Sequence, residues 1–445
     1  MRITYLKEDK GESIDLTRFI HDHSIDLNNT KDLDKLMDAI GDAKYVLLGE
    51  ASHGTHEYYT WRSVISRRLI LEKGFSFIAV EGDWPDCYRV NRYVKGYTDA
   101  GSSAKDVLSA FNRWPTWMWA NWEIVALTEW MRKHNAARPA NKRVGFYGLD
   151  VYSLWESLEA IINYLDKTDK QAKEVAMQAW HCFEPYIEEE GQSYARATAH
   201  SWVPASCEAE VVDLLLEVRN KMQQYNTDPE AVLNVERNAM IAVNAEKYYR
   251  AMMKGGPYSW NIRDHHMVDT LNKLMDFHGI HAKAIVWEHN THIGDARATD
   301  MRLDGMVNVG QLVNEMHYHD GVFAVGFGSY KGSVIAGRHW NDVMRKMVVP
   351  PAIANSWEYI MHNAGATDRL MLMNKEVKDV LDKKEIGHRA IGVVYNPQRE
   401  YGNYVPSIMP LRYDAFIFFD ESRALHPLHI EPDGQQMPET YPFGM

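Results

Sequence analysis

With 445 residues, 45% of them hydrophobic and 25% charged, the chain falls in the soluble globular range and is long enough for two domains or one large domain with an insertion. Its 49 Lys and Arg against 61 Asp and Glu give a net charge of −12, with no basic run able to track a phosphate backbone, so nucleic acid is not expected as a partner. Cys87, Cys182 and Cys207 form no CxxC and are too few for a disulfide framework. The N-terminus has no apolar signal-like stretch, and no run approaches the roughly 18 apolar residues of a spanning helix; a cytoplasmic protein in a reducing compartment, without a membrane partner, is the expectation. The bias toward 20 His, 14 Trp and 24 Tyr favours an enzyme or a ligand-binding protein over a scaffold.

In chain order, the first strand is predicted at Tyr45–Leu48, followed by a helix over Glu57–Glu72. A second strand follows at Phe77–Val80, then a helix at Glu123–His134, a third strand at Val144–Tyr147 and a helix at Leu154–Leu165. From about Asp166 to His278 no strand is expected, and apolar spacing in Val211–Met222, Glu230–Met252 and His265–Phe277 suits amphipathic helices. Strands resume at Ala284–Trp287, Val322–Phe327, Ile391–Val394 and Phe416–Phe419. Most are continuous apolar runs, as in strands covered on both faces, so the fold class is α/β with a mostly parallel central sheet flanked by helices. Residues 1–165 and 281–445 are read as the two parts of that core. Residues 166–280 are read as a large helical insertion capping the cleft and controlling access to it. Gly326 to Gly332 is read as a strand-to-loop turn, and the tail after Glu431 is Pro-rich.

Chemistry is concentrated where the strands end. They run into Gly49-Glu50-Ala51-Ser52-His53-Gly54-Thr55, Glu81-Gly82-Asp83-Trp84, Gly148-Leu149-Asp150 and Glu288-His289-Asn290-Thr291-His292. In an open parallel sheet such loops converge at the carboxyl edge, where ligands bind. Glu50, His53, Glu81, His289 and His292 are therefore expected around one cleft, whereas Ser52 and Asp150 read better as helix caps. Glu50, three residues before His53, would fix the imidazole tautomer and raise its basicity, as a general base requires. His289 and His292 suit either metal ligation or proton donation and oxyanion contact.

Zinc or manganese stays open as an alternative for this His and carboxylate set, although no HExxH is present: His56-Glu57 is followed by Tyr58-Tyr59-Thr60. GxSxG, a Walker loop and a dinucleotide fingerprint are all absent, and Cys87 lies beside Asp86, which raises a thiol pKa. Hydrolysis by a histidine-activated water, without a covalent intermediate, fits this inventory. Arg62 and Arg263 could each hold an anionic or carbonyl oxygen, with a salt bridge to a strand-end carboxylate the equal alternative. Trp114, Trp117, Trp119 and Trp122 could wall a pocket for a large apolar ligand or sugar, or anchor a lid to the core.

The stretches LLGEASHGTHEYYTWR, FIAVEGDWP, GLDVYS, IVWEHNTHIGD and VGFGSYKGSV resemble the successive motifs of the erythromycin esterase family, which includes proteins named for succinoglycan biosynthesis. The resemblance runs from about Asp42 to Leu428. It implies an EreA/ChaN-like α/β core and an ester or macrolactone hydrolase of the carboxylic ester type acting on a small molecule, with macrolide resistance as the associated phenotype. Carried over residue by residue, it implies His53 as the base with Glu50, Arg62, Glu81, His289 and His292 around it. Trp114, Trp117, Trp119, Arg263 and Glu288 are expected on the substrate side, and no cofactor is expected to be required. A metal-dependent hydrolase and a non-catalytic polysaccharide accessory protein are the alternatives. Ser52 stands where many relatives have Thr, a change that keeps the hydroxyl.

Overall fold

The computed structural model describes residues 15–189, 191–199, 206–225 and 228–430, so the N-terminal stretch and the Pro-rich tail named above lie outside the described residues. Its strands are β1 (Ser24–Asp26), β2 (Tyr45–Leu48), β3 (Phe77–Asp83), β4 (Gly145–Asp150), β5 (Ala284–Trp287), β6 (Val322–Ala336), β7 (Arg345–Val349), β8 (Arg369–Leu372), β9 (Glu385–Arg389), β10 (Tyr404–Ile408) and β11 (Ala415–Ser422). A nine-stranded sheet runs β1-β8-β11-β6-β2-β5-β3-β4, with β7 hydrogen-bonded to β6; β9 and β10 form a separate pair. From β11 to β4 every neighbouring pair is parallel, while β1, β7 and β8 pair antiparallel. The fold is thus mixed α/β around a mostly parallel sheet.

The buried strands are apolar on both faces because both faces are covered. Val46, Leu48, Ile78, Val80, Ile285 and Trp287 face one core. Their alternates Tyr45, Leu47, Phe77, Ala79, Ala284 and Val286 face the other. Between β4 and β5 the elements among the described residues are helical, and they have a core of their own running from Val151 to Tyr249. The Leu154–Thr168 helix belongs to that core. The Tyr258–His278 helix does not: Met267, Val268, Leu271 and Leu274 pack with the sheet.

Three expectations are corrected. Cys182 and Cys207 are disulfide-bonded with Cα atoms 5.9 Å apart, because the helices Lys170–Phe183 and Glu208–Lys221 pack together. Cysteine usage therefore gives no argument for a reducing compartment; Cys87 alone is free, and it is buried. Gly326 to Gly332 is not a turn, since β6 runs unbroken through it with Ser329, Lys331 and Gly332 in register with Phe419, Glu421 and Ser422 of β11. A side chain at Gly332 would stand 1.9 Å from the Ser422 carbonyl oxygen, so glycine there permits the close approach of β11. Finally, Ile391–Val394 is not a strand, as Ile391 and Val394 make only isolated bridges to Ser52 and Gly337. The backbone ladder in this region forms instead between β9 and β10. No helix among the described residues is long and apolar enough to cross a membrane.

Candidate active site

β2, β5, β3 and β4 are consecutive neighbours, so the four loops singled out in the sequence leave one edge of the sheet side by side. The loop after β2 is held close to its surroundings. A side chain at Gly54 would stand 1.9 Å from the Ile335 carbonyl oxygen, and one at Gly49 would stand 2.1 Å from Asn290 Oδ1. The Ile335 and Leu425 amides both donate to the Gly54 carbonyl at 3.0 Å. His53 emerges from this loop almost fully buried.

His53 Nδ1 donates to Glu50 Oε1 at 2.9 Å, and Arg62 Nη2 donates to Glu50 Oε2 at 2.6 Å. The carboxylate is thereby committed on both oxygens, and His53 Nε2 is the nitrogen left to take a proton. Burial disfavours the charged ring, but the Glu81 charge and the Glu50 contact outweigh it and raise the His53 pKa above its ordinary value. His289 lies beside it, ring centroids 4.9 Å apart. Its Nδ1 accepts from the Thr291 amide at 3.2 Å and sits 2.8 Å from the Thr291 hydroxyl, which assigns the proton to Nε2. That Nε2 is buried without a protein hydrogen-bond partner. Burial, then the neighbouring His53, push the His289 pKa well below its ordinary value, so the ring is a neutral donor.

Glu81 ties the loops together, accepting from Arg263 Nη2 at 2.7 Å and from the His289 amide at 2.9 Å. Burial would raise its pKa, yet His292, His53 and Arg263 hold it far below the carboxylate range. Arg263 also donates to both Asp150 oxygens, at 2.9 and 2.6 Å, and through Nη1 to His292 Nε2 at 3.0 Å. His292 Nδ1 in turn donates to Asp264 Oδ1 at 2.9 Å, with the ring stacked on Trp260 at 4.5 Å. Glu288 is a different kind of carboxyl. It is 0% exposed, neither oxygen has a hydrogen-bond partner, and burial next to Glu81 and Asp264 pushes its pKa well above the usual range. Its environment favours the protonated form.

Glu50, His53, Arg62, Glu81, Arg263, Glu288, His289 and His292 thus share one centre. The salt-bridge alternative describes both arginines. Of the tryptophans, Trp117 and Trp119 are buried in the core, and Trp119 Nε1 donates to the Glu81 carbonyl at 3.1 Å, bracing that strand end. Trp114 packs on Trp117 and Trp340, at 5.5 and 4.7 Å between centroids. Asp150 is no helix cap but an Arg263 partner. Asp264 and Trp260 were not foreseen; the signal for them was their position on the Tyr258–His278 helix next to Arg263, which carries all three into the site.

The erythromycin esterase family matches residues 70–422 of the chain. The chain belongs to that family. The matched span begins after the His53 loop and takes in Glu81, Arg263 and the His289–His292 segment. Membership supports an esterase-like hydrolase. A relative named erythromycin esterase type II, from Escherichia coli, is 22% identical over 330 residues, covering 69% of this chain and 74% of its own length.

Among solved structures, a succinoglycan biosynthesis protein superposes with a TM-score of 0.71 at 19% identity over 94% of this chain and 100% of its own. A Bacillus cereus protein gives 0.74 at 19% identity over 93% and 98%. A mutant of the erythromycin esterase EreC in its open conformation gives 0.65 at 14% identity over 88% and 94%. At such identities the family fold is what is shared.

Proposed function

We propose that the chain hydrolyses a carboxylic ester or lactone of a small molecule with a water molecule activated by His53. The observation that carries this is the pairing of His53, its Nδ1–H fixed on a doubly held Glu50, with the unpartnered Nε2–H of a neutral His289 beside it. His53 Nε2 takes a proton from water as the hydroxyl oxygen bonds to the ester carbonyl carbon. The charge that develops on the carbonyl oxygen is met by the His289 Nε2–H, a donor already desolvated and oriented. Breakdown of the tetrahedral species cleaves the bond to the alcohol oxygen, which receives the proton back from His53. The products are a carboxylic acid and an alcohol, and no side chain is acylated.

Arg263 and Glu81 act as positioning residues. The guanidinium is occupied by Asp150, Glu81 and His292, and so it fixes the His289–His292 loop against β3. No metal is needed in this scheme. The Nδ1 atoms of His53 and His292 are committed to Glu50 and Asp264, and Arg263 donates to His292 Nε2.

His53→Asn tests the reading. Turnover of a panel of aliphatic esters and macrolactones should fall by about 10²–10⁴-fold or more with the fold intact, as for loss of a general base. Mass spectrometry of wild-type protein during turnover should find no acyl adduct on Ser, Thr or Cys. Retained activity in His53→Asn, or a trapped acyl-enzyme, overturns the mechanism.

A further inference from the structure

His56 opens the His56–Lys73 helix, three residues beyond the catalytic base, and in sequence it begins an HE pair that lacks the second histidine of a metal motif. The fold supplies a second histidine from far along the chain. Glu123, in the first turn of the Trp122–Ala136 helix, and His426, in the segment after β11, close on His56. Glu123 Oε1 lies 2.6 Å from His56 Nδ1 and 2.7 Å from His426 Nδ1, and the donor atoms of all three residues lie within 4.8 Å of one another. The two imidazole planes stand edge to face at 85° with centroids 5.3 Å apart, and both Nδ1 atoms meet the same Glu123 oxygen. It is the one grouping of this kind found among the described residues, and it shares no side chain with the catalytic cluster.

We infer that His56, Glu123 and His426 form a zinc site separate from the reaction centre. Two imidazole nitrogens and a carboxylate oxygen are donors that zinc takes in tetrahedral geometry. With bonds of about 2.0–2.2 Å, tetrahedral donors stand about 3.3–3.6 Å apart, so the carboxylate withdraws by roughly 0.6–1.0 Å from each ring to admit the ion. The His426 side chain is 54% exposed, which leaves a path from solvent and room for a water as fourth ligand, whereas His56 and Glu123 are buried.

The ion would fasten the segment after β11 to two helix starts. That segment already reaches the catalytic loop, the Leu425 amide donating to the Gly54 carbonyl at 3.0 Å and the His56 amide to the Arg423 carbonyl at 2.8 Å. Zinc therefore stabilises the loop that carries His53 without contacting substrate.

The test uses the full chain stripped with a chelator and titrated with zinc chloride by calorimetry, with metal content and thermal midpoint measured on the same samples. One zinc per chain and a raised midpoint are expected. His426→Ala should weaken binding by at least about 100-fold, since loss even of groups behind the ligands costs 10–100-fold. Glu123→Gln should do the same where it folds. A His53→Asn, His289→Asn double variant should keep the zinc, because the catalytic cleft is not its site. No uptake by the stripped wild-type chain, uptake that survives His426→Ala, or loss of zinc in the double variant each refutes the assignment.

Discussion

Glu288 offers a measurement that isolates one buried proton. The side chain has no exposure and no hydrogen-bond partner on either oxygen, and it is surrounded by the charges of Glu81 and Asp264, so its pKa stands well above the carboxylate range. In the unfolded chain a glutamate ionises through about 4.3. Above that pH folding must take up a proton at this position, so stability is full below the unfolded pKa and declines as pH rises toward the folded one. The slope is about 1.4 kcal/mol per pH unit for as long as the folded carboxyl stays neutral.

Glu288→Gln keeps the shape and removes the titration. The stability difference, variant minus wild type, should therefore grow as pH rises above the unfolded carboxylate range, with that slope as its upper bound. For a cooperative unit of this length each ~1.4 kcal/mol is about 1.5 °C in thermal midpoint, and more for a smaller unit. Paired thermal scans of the two proteins at pH 6, 7 and 8 read this directly, because every other titrating group cancels in the difference. A difference independent of pH would mean that Glu288 is ionised in the folded protein, and the account of its environment would fail.

With His53 as the proposed base, its raised pKa predicts that kcat/KM climbs with pH through an apparent value above 6.5. Glu50→Gln removes one of the carboxylates responsible, so the climb should move to lower pH as turnover falls; an unmoved or alkaline-shifted limb contradicts the Glu50–His53 pairing. His289→Gln takes away the Nε2–H donor. The kcat should drop by about 10²–10³-fold with little change in KM, as for other lost oxyanion donors, whereas a rise in KM alone would make His289 a ground-state binding group.

The sequence by itself determined the parallel centre of the sheet and the residues that gather at its edge. Tyr45–Leu48, Phe77–Val80 and Ala284–Trp287 read as buried parallel strands because a strand covered on both faces is apolar at every position, and that property is local. The crevice rule then placed Glu50, His53, Glu81, His289 and His292 together without coordinates. The strands β1, β7, β8, β9 and β10 escaped notice because short strands outside the parallel centre carry mixed residues and owe their form to the ladder of a neighbour. For the same reason β6 runs straight through a glycine-rich stretch that reads locally as a turn. Tertiary structure alone decided the Cys182–Cys207 bond, the Asp264 and Trp260 contacts to His292, the raised pKa of Glu288, and the meeting of His56, Glu123 and His426. Each depends on groups brought from distant segments, and burial or pKa is a sum over such neighbours that no single stretch of chain contains.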